Sequence, residues 1–81
     1  MTVEVLLFAR LREICGKRQM RVELVDGATV SDCFDALGER FPELLPMREG
    51  VVVAINEDYA AWNDAPAEGD MVAFIPPVSG G

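Results

Sequence analysis

No histidine occurs in these 81 residues, and the two cysteines, Cys15 and Cys33, do not form a Cys-x-x-Cys pair. Those absences exclude the commonest zinc sites, histidine acid–base catalysis and every triad built on histidine, so no metal ligand is assigned. Neither a Gly-x-x-x-x-Gly-Lys loop nor a Gly-x-Gly-x-x-Gly loop is present to cradle a nucleotide phosphate. No cofactor is therefore expected to be bound by this chain. Bases are scarce, seven against fourteen acids, for a net charge of −7. An acidic surface repels phosphate backbones and argues against a nucleic-acid partner, while favouring solubility and docking onto a basic protein surface. The cluster Arg10, Arg12, Lys17, Arg18 and Arg21 reads more simply as a solvated loop than as an anion site. No apolar run approaches the roughly 18 residues of a membrane span. The stretch from Met1 to Arg10 also lacks the basic n-region and apolar h-region of a signal peptide. A cytoplasmic protein without a membrane partner is expected, its cysteines kept as reduced thiols.

What is present suffices for one core. Hydrophobic residues make up 51% of the chain, and its length fits a single small domain. Val3, Val5 and Leu7 alternate with Glu4, Leu6 and Phe8, a period-two strand signal. Arg10 to Ile14 fits a short helical turn closed by Gly16. Met20, Val22 and Leu24 give a second strand, and Asp26-Gly27 a turn. Thr29 can cap the next helix with Asp32 as its capping-box partner. Val30, Cys33, Phe34, Leu37 and Phe41 then fall on one helical face. Gly38 inside that helix is expected to permit close packing on a sheet, at about 1 kcal/mol relative to alanine. Pro42 and Pro46 end the helix in a loop.

Val51 to Ile55 suits a buried strand. After the polar turn Asn56-Glu57-Asp58, the stretch from Tyr59 to Asp64 reads as a brief edge strand or an irregular loop around Trp62. Met71 to Ile75 is the last strand, which Pro76-Pro77 terminates because proline lacks the ladder donor. One amphipathic helix covers one face of such a sheet, predicting a two-layer α+β domain. Val3, Val5, Leu7, Val72 and Phe74 are placed toward the helix. Leu6, Phe8, Met71, Ala73 and Ile75 are left on the open face, and an apolar patch there suggests a protein partner. Trp62 reads as a packing residue and Cys33 as a buried thiol, with Cys15 less certain in its placement.

The chain closes on Pro76-Pro77-Val78-Ser79-Gly80-Gly81. A terminal Gly-Gly arises by chance in roughly 0.5% of chains. Two glycines carry no side chain and can pass a narrow channel, while the prolines hold the exit extended, away from the sheet. The domain is accordingly divided into a folded part, residues 1–75, and a flexible tail, residues 76–81. A carboxylate is ionised at neutral pH and a poor electrophile, so it needs activation by another protein, as an acyl adenylate.

Val5-Leu6-Leu7-Phe8-Ala9-Arg10-Leu11-Arg12-Glu13 followed by Gly16 resembles the opening of the MoaD-type small subunit of molybdopterin synthase. Asn56, Gly69-Asp70 and the run from Val72 to Gly81 resemble the second half of the same family. The resemblance implies a ubiquitin-like β-grasp fold, with a mixed sheet of four to five strands covered on one face by one main helix. It also implies a sulfur carrier rather than a catalytic subunit. Gly81 would be adenylated by an E1-like enzyme using ATP, converted to a thiocarboxylate with sulfur from a donor protein, and inserted into the large synthase subunit. There its sulfur would pass to cyclic pyranopterin monophosphate to build the dithiolene of molybdopterin, on lysines of the large subunit. Gly81 carries the sulfur and Gly80 gives reach. Phe8, Ile75, Pro76, Pro77, Val78 and Ser79 are expected at partner contacts, and Asp70, a turn residue close to the tail in sequence, is a candidate for docking the activating enzyme. A thiamine-pathway sulfur carrier, a ubiquitin-like modifier joined through Gly81 to lysines, and a plain interaction module remain alternatives.

Overall fold

Strict alternation along Val3, Val5 and Leu7 has a physical consequence: one side of the strand can be wholly dry. In a computed structural model of the protein, which describes residues 1–77, β1 (Thr2–Leu7) buries those three side chains to 0%, 0% and 2% exposure. Helix α1 (Ala9–Cys15) follows, one residue longer at each end than its expected core. It stops at Gly16, whose φ of 74° is left-handed and whose N–H donates to the Arg12 carbonyl at 2.8 Å. Next come β2 (Gln19–Glu23), α2 (Val30–Arg40), a 3₁₀ helix (Pro42–Met47), β3 (Val52–Ile55), β4 (Asp58–Ala60) and β5 (Met71–Ile75).

The five strands form one sheet in the order β2-β1-β5-β3-β4. β1 and β5 run parallel at its centre, and the other neighbouring pairs are antiparallel. α2 starts where expected. The Asp32 N–H donates to Thr29 Oγ1 at 3.2 Å and the Thr29 N–H donates to Asp32 Oδ2 at 2.9 Å, completing the capping box. Val30, Cys33, Phe34 and Leu37 are buried against the sheet side of β1 and β5 in one core cluster. Phe34 meets Phe74 edge-on at 5.2 Å and Trp62 at 5.4 Å. Burial of one such ring contributes about 1.5–3 kcal/mol. Trp62 is thus a packing residue, as expected.

Three expectations change. Phe41 is the half-buried C-cap of α2 rather than its last helical residue. The Pro42–Pro46 stretch is a 3₁₀ helix, because proline is well placed in a first turn and Leu44 needs a route into the core. Gly38 opens space for the side chain of Leu45 from that 3₁₀ helix, not for the sheet. Among the described residues no helix is long and apolar enough to cross a membrane.

Candidate functional site

With α2 on one side, the other sheet face is left open, and the strand register decides what lies there. Leu6 of β1 pairs with Ala73 of β5, Ala73 with Ala54 of β3, and Ala54 with Tyr59 of β4. Small side chains therefore occupy the middle of this row and large ones its ends. The result is a shallow apolar depression of about 380 Å³, rimmed further by Phe8, Glu57, Met71 and Ile75. Phe8 is 42% exposed, Met71 36% and Tyr59 85%, so water-accessible apolar bulk is concentrated on this face. Phe8 and Ile75, nominated from strand alternation, both line it. Tyr59 and Ala54 were not nominated. The missed signal was the length of the turn: only Asn56 and Glu57 lie between paired Ile55 and Asp58. Both have positive φ, 48° and 74°, as a two-residue hairpin loop requires. Counting back from that loop sets Tyr59 opposite Ala54.

Asn56 also ties the hairpin to the start of β5. Its side-chain amide donates to Asp70 Oδ1 at 2.9 Å, while its Oδ1 accepts from the Met71 N–H at 2.9 Å. Asp70 Oδ2 accepts from the Ala67 N–H at 2.8 Å. The Ala67 bond first, then the Asn56 bond, hold the Asp70 carboxyl below the usual carboxylate range. Both of its oxygens thus close turns. Asp70 also stands at the opposite end of five-residue β5 from Pro76, roughly 20 Å away at 3.3 Å per residue. Nearness to Pro76 in sequence is not nearness in space.

Grouped bases do not share one loop: Arg10 and Arg12 belong to α1, and Arg21 to β2. Arg10 pairs with Glu13 at 3.1 Å and Arg21 with Glu4 at 2.9 Å. Arg12 and Arg18 flank a second hollow of about 270 Å³ with Leu6, Leu7 and Phe8. Glu4 is held below its ordinary value by Gln19 first and Arg21 next. Cys33 is fully buried, and desolvation pushes its thiol up to about 12. Cys15 is also buried and shifted upward by burial, which resolves its uncertain placement. In both, burial disfavours the thiolate, which is the nucleophilic form. Pro76 is half-buried and Pro77 exposed. Val78, Ser79, Gly80 and Gly81 lie outside the described residues.

The described part of the chain thus joins an open apolar sheet face to a last strand that stops at Ile75, directly before Pro76-Pro77. A model of the ThiS family matches residues 5–81, nearly the whole chain and its terminal glycines included. The chain belongs to the ThiS family. This ThiS-family chain is 40% identical over 79 residues to the molybdopterin synthase sulfur carrier subunit of Arabidopsis thaliana, covering 98% of this chain and 82% of that relative. It is also 40% identical over 83 residues to small archaeal modifier protein 1 of Haloferax volcanii, covering 93% of this chain and 95% of that one. A crystal structure of SAMP1 from Haloferax volcanii superimposes with a TM-score of 0.88 at 38% identity, covering all of both chains. The family chain therefore has the ubiquitin-like β-grasp fold, a mixed five-stranded sheet with one main helix packed on it.

Proposed function

We propose that this chain is the sulfur carrier subunit of a molybdopterin synthase, with the carboxylate of Gly81 as its working group. The observation that carries the reading is the near-complete match to a relative of that name, within a family match that runs through Gly80 and Gly81. The chemistry follows from the inertness of a carboxylate. Its oxygen attacks the α-phosphorus of ATP on an E1-like adenylating enzyme, releasing pyrophosphate. Hydrosulfide released by a donor protein then attacks the acyl carbon and displaces AMP, leaving a thiocarboxylate on Gly81. In the large synthase subunit that sulfur passes to cyclic pyranopterin monophosphate on the way to the dithiolene, and the carboxylate returns. Phe8 and Ile75 dock the large subunit through the open sheet face, and residues 76–79 lead Gly80 and Gly81 into its channel. The location is cytoplasmic, where the ATP-using partner and the reducing thiol pool are found.

The likeness to small archaeal modifier protein 1 favours a second reading, conjugation of Gly81 to lysines of other proteins. Capture of lysine-linked conjugates separates the two, and a thiamine-pathway role is separated by which synthase accepts the sulfur.

Intact mass after incubation with the purified E1-like enzyme, ATP and a sulfur donor tests the proposal. The expected product has one oxygen of Gly81 replaced by sulfur. One residue added after Gly81 should abolish loading, because the former carboxylate carbon then sits in an amide that cannot be adenylated. Deleting Gly81 withdraws the carboxylate by roughly 3.3–3.6 Å of extended chain and should fail too. Gly80→Val, which thickens the tail, should slow entry. Loading of the extended protein at the native rate, with its added residue still present by mass, would refute the proposal.

A further inference from the structure

β5 ends at Pro76-Pro77, and Pro77 does not leave the domain unsupported: it lies against the turn that precedes β3. The Val51 N–H closes this turn on the Arg48 carbonyl at 3.1 Å, and Gly50 sits within it at φ 86°. A Cβ built on Gly50 would stand 3.2 Å from Cγ, 3.5 Å from Cδ and 3.8 Å from Cβ of Pro77. The first distance is tighter than ordinary van der Waals contact, so the ring or the turn would have to yield by a few tenths of an ångström. Yielding on the turn side is resisted. The Arg48 guanidinium lies 4.0 Å over the Trp62 ring, and Trp62 stacks at 5.9 Å on buried Phe74 of β5. The turn is thus anchored to the same strand that carries the prolines.

Three other glycines with positive φ isolate what is special here. Gly16, Gly27 and Gly69 lie at 74°, 86° and 82°, and a Cβ on any of them would meet nothing within 4 Å. Backbone conformation alone accounts for glycine at those places. At Gly50 both the conformation and the space against Pro77 require it.

We propose that Gly50 is a positioning residue for the tail: its bare Cα forms a seat for the Pro77 ring and fixes the point from which residues 78–81 are presented to the activating enzyme. This inference rests on the reading of Gly81 as the working group. Pro77 thus leaves from a braced position rather than one held merely extended. Filling the seat shifts the origin of the tail while the apolar docking face stays intact, so the loss falls on kcat for sulfur loading more than on KM.

Gly50→Asn and Gly27→Asn make the test, since asparagine tolerates left-handed backbone and both positions have φ 86°. Thermal midpoints and the rate of Gly81 sulfur loading by the E1-like enzyme, ATP and a sulfur donor are measured together. Both variants should lose similar stability, with Gly27→Asn loading at the native rate. Gly50→Asn should load about threefold to tenfold more slowly, scaled from about a hundredfold per ångström of misplacement. Pro77→Ala removes Cγ and Cδ, and in that background Gly50→Asn should cause no further loss. If Gly50→Asn does not fold, Gly50→Ala against Gly27→Ala is read the same way. Native loading by the Gly50 variant, equal loss in the Gly27 variant, or an undiminished loss beside Pro77→Ala overturns the inference and leaves the carrier reading standing. Failure of the native chain itself to take up sulfur sinks both.

Discussion

Cys33 and Asp70 show how a residue's surroundings set its chemistry. Cys33 has no exposed surface and a thiol pushed up to about 12, and Cys15 is buried in the same core cluster. The double variant Cys15→Ala, Cys33→Ala should therefore still accept sulfur at Gly81. It should lose about 1 kcal/mol or somewhat more from trimmed packing, or about 4–8 °C of thermal midpoint per kcal/mol. A folded double variant that forms no thiocarboxylate would put a cysteine on the sulfur route. Asp70 works in the opposite electrostatic sense. Its folded pKa is lowered, so its contribution is present above the unfolded value of about 3.9 and is lost as pH falls through the folded one. Glu4 is lowered as well and adds its own acid sensitivity. Asp70→Asn should consequently show a flatter decline of thermal midpoint between about pH 5 and about pH 2 than the native chain. An equally steep decline would mean the Ala67 and Asn56 bonds do not govern its titration.

At the level of elements, the β3–β4 hairpin depends on one side chain for two tasks. Asn56 adopts positive φ in the loop and bonds both Asp70 and the Met71 N–H. Asn56→Gly keeps the backbone freedom and loses the bonds, a cost of about 1–2 kcal/mol. Asn56→Ala loses both and should cost about 1 kcal/mol more. Urea unfolding of the two variants measures the difference, and equal stabilities would assign the whole effect to the side-chain bonds. Elements with a local cause were readable in advance. Thr29 and Asp32 are three residues apart and bond each other, and Gly16 closes the helix that precedes it. Gly38 was misplaced because its neighbour, Leu45, comes from a 3₁₀ helix that begins at Pro42, where α-helical periodicity gives no guidance.

For the molecule as a whole, the open sheet face is the surface on which the proposed docking of the large subunit is tested. Phe8→Asp places a charge on the rim of the apolar depression, at a position already 42% exposed. It should leave the thermal midpoint nearly unchanged and weaken the large-subunit complex by about 2 kcal/mol or more, roughly thirtyfold in Kd. Ile75→Asp should weaken it similarly, with a modest loss of stability because Ile75 is half-buried. Calorimetric titration against the large subunit gives the affinities. Unfolding of the Phe8 variant would return that residue to the core, and unchanged affinity in both would move the interface elsewhere.

Sequence alone determined what neighbouring residues settle among themselves: strand alternation, the capping box of α2 and the stop at Gly16. Tertiary structure decided what depends on partners far along the chain. Nothing in the local pattern sets β5 between β1 and β3, yet that order aligns Leu6, Ala73, Ala54 and Tyr59 into one row and so makes the depression. The same long-range packing brings Gly50 beneath Pro77. Periodicity reports which face of an element is apolar; only the packed sheet fixes which residues from distant segments share a surface.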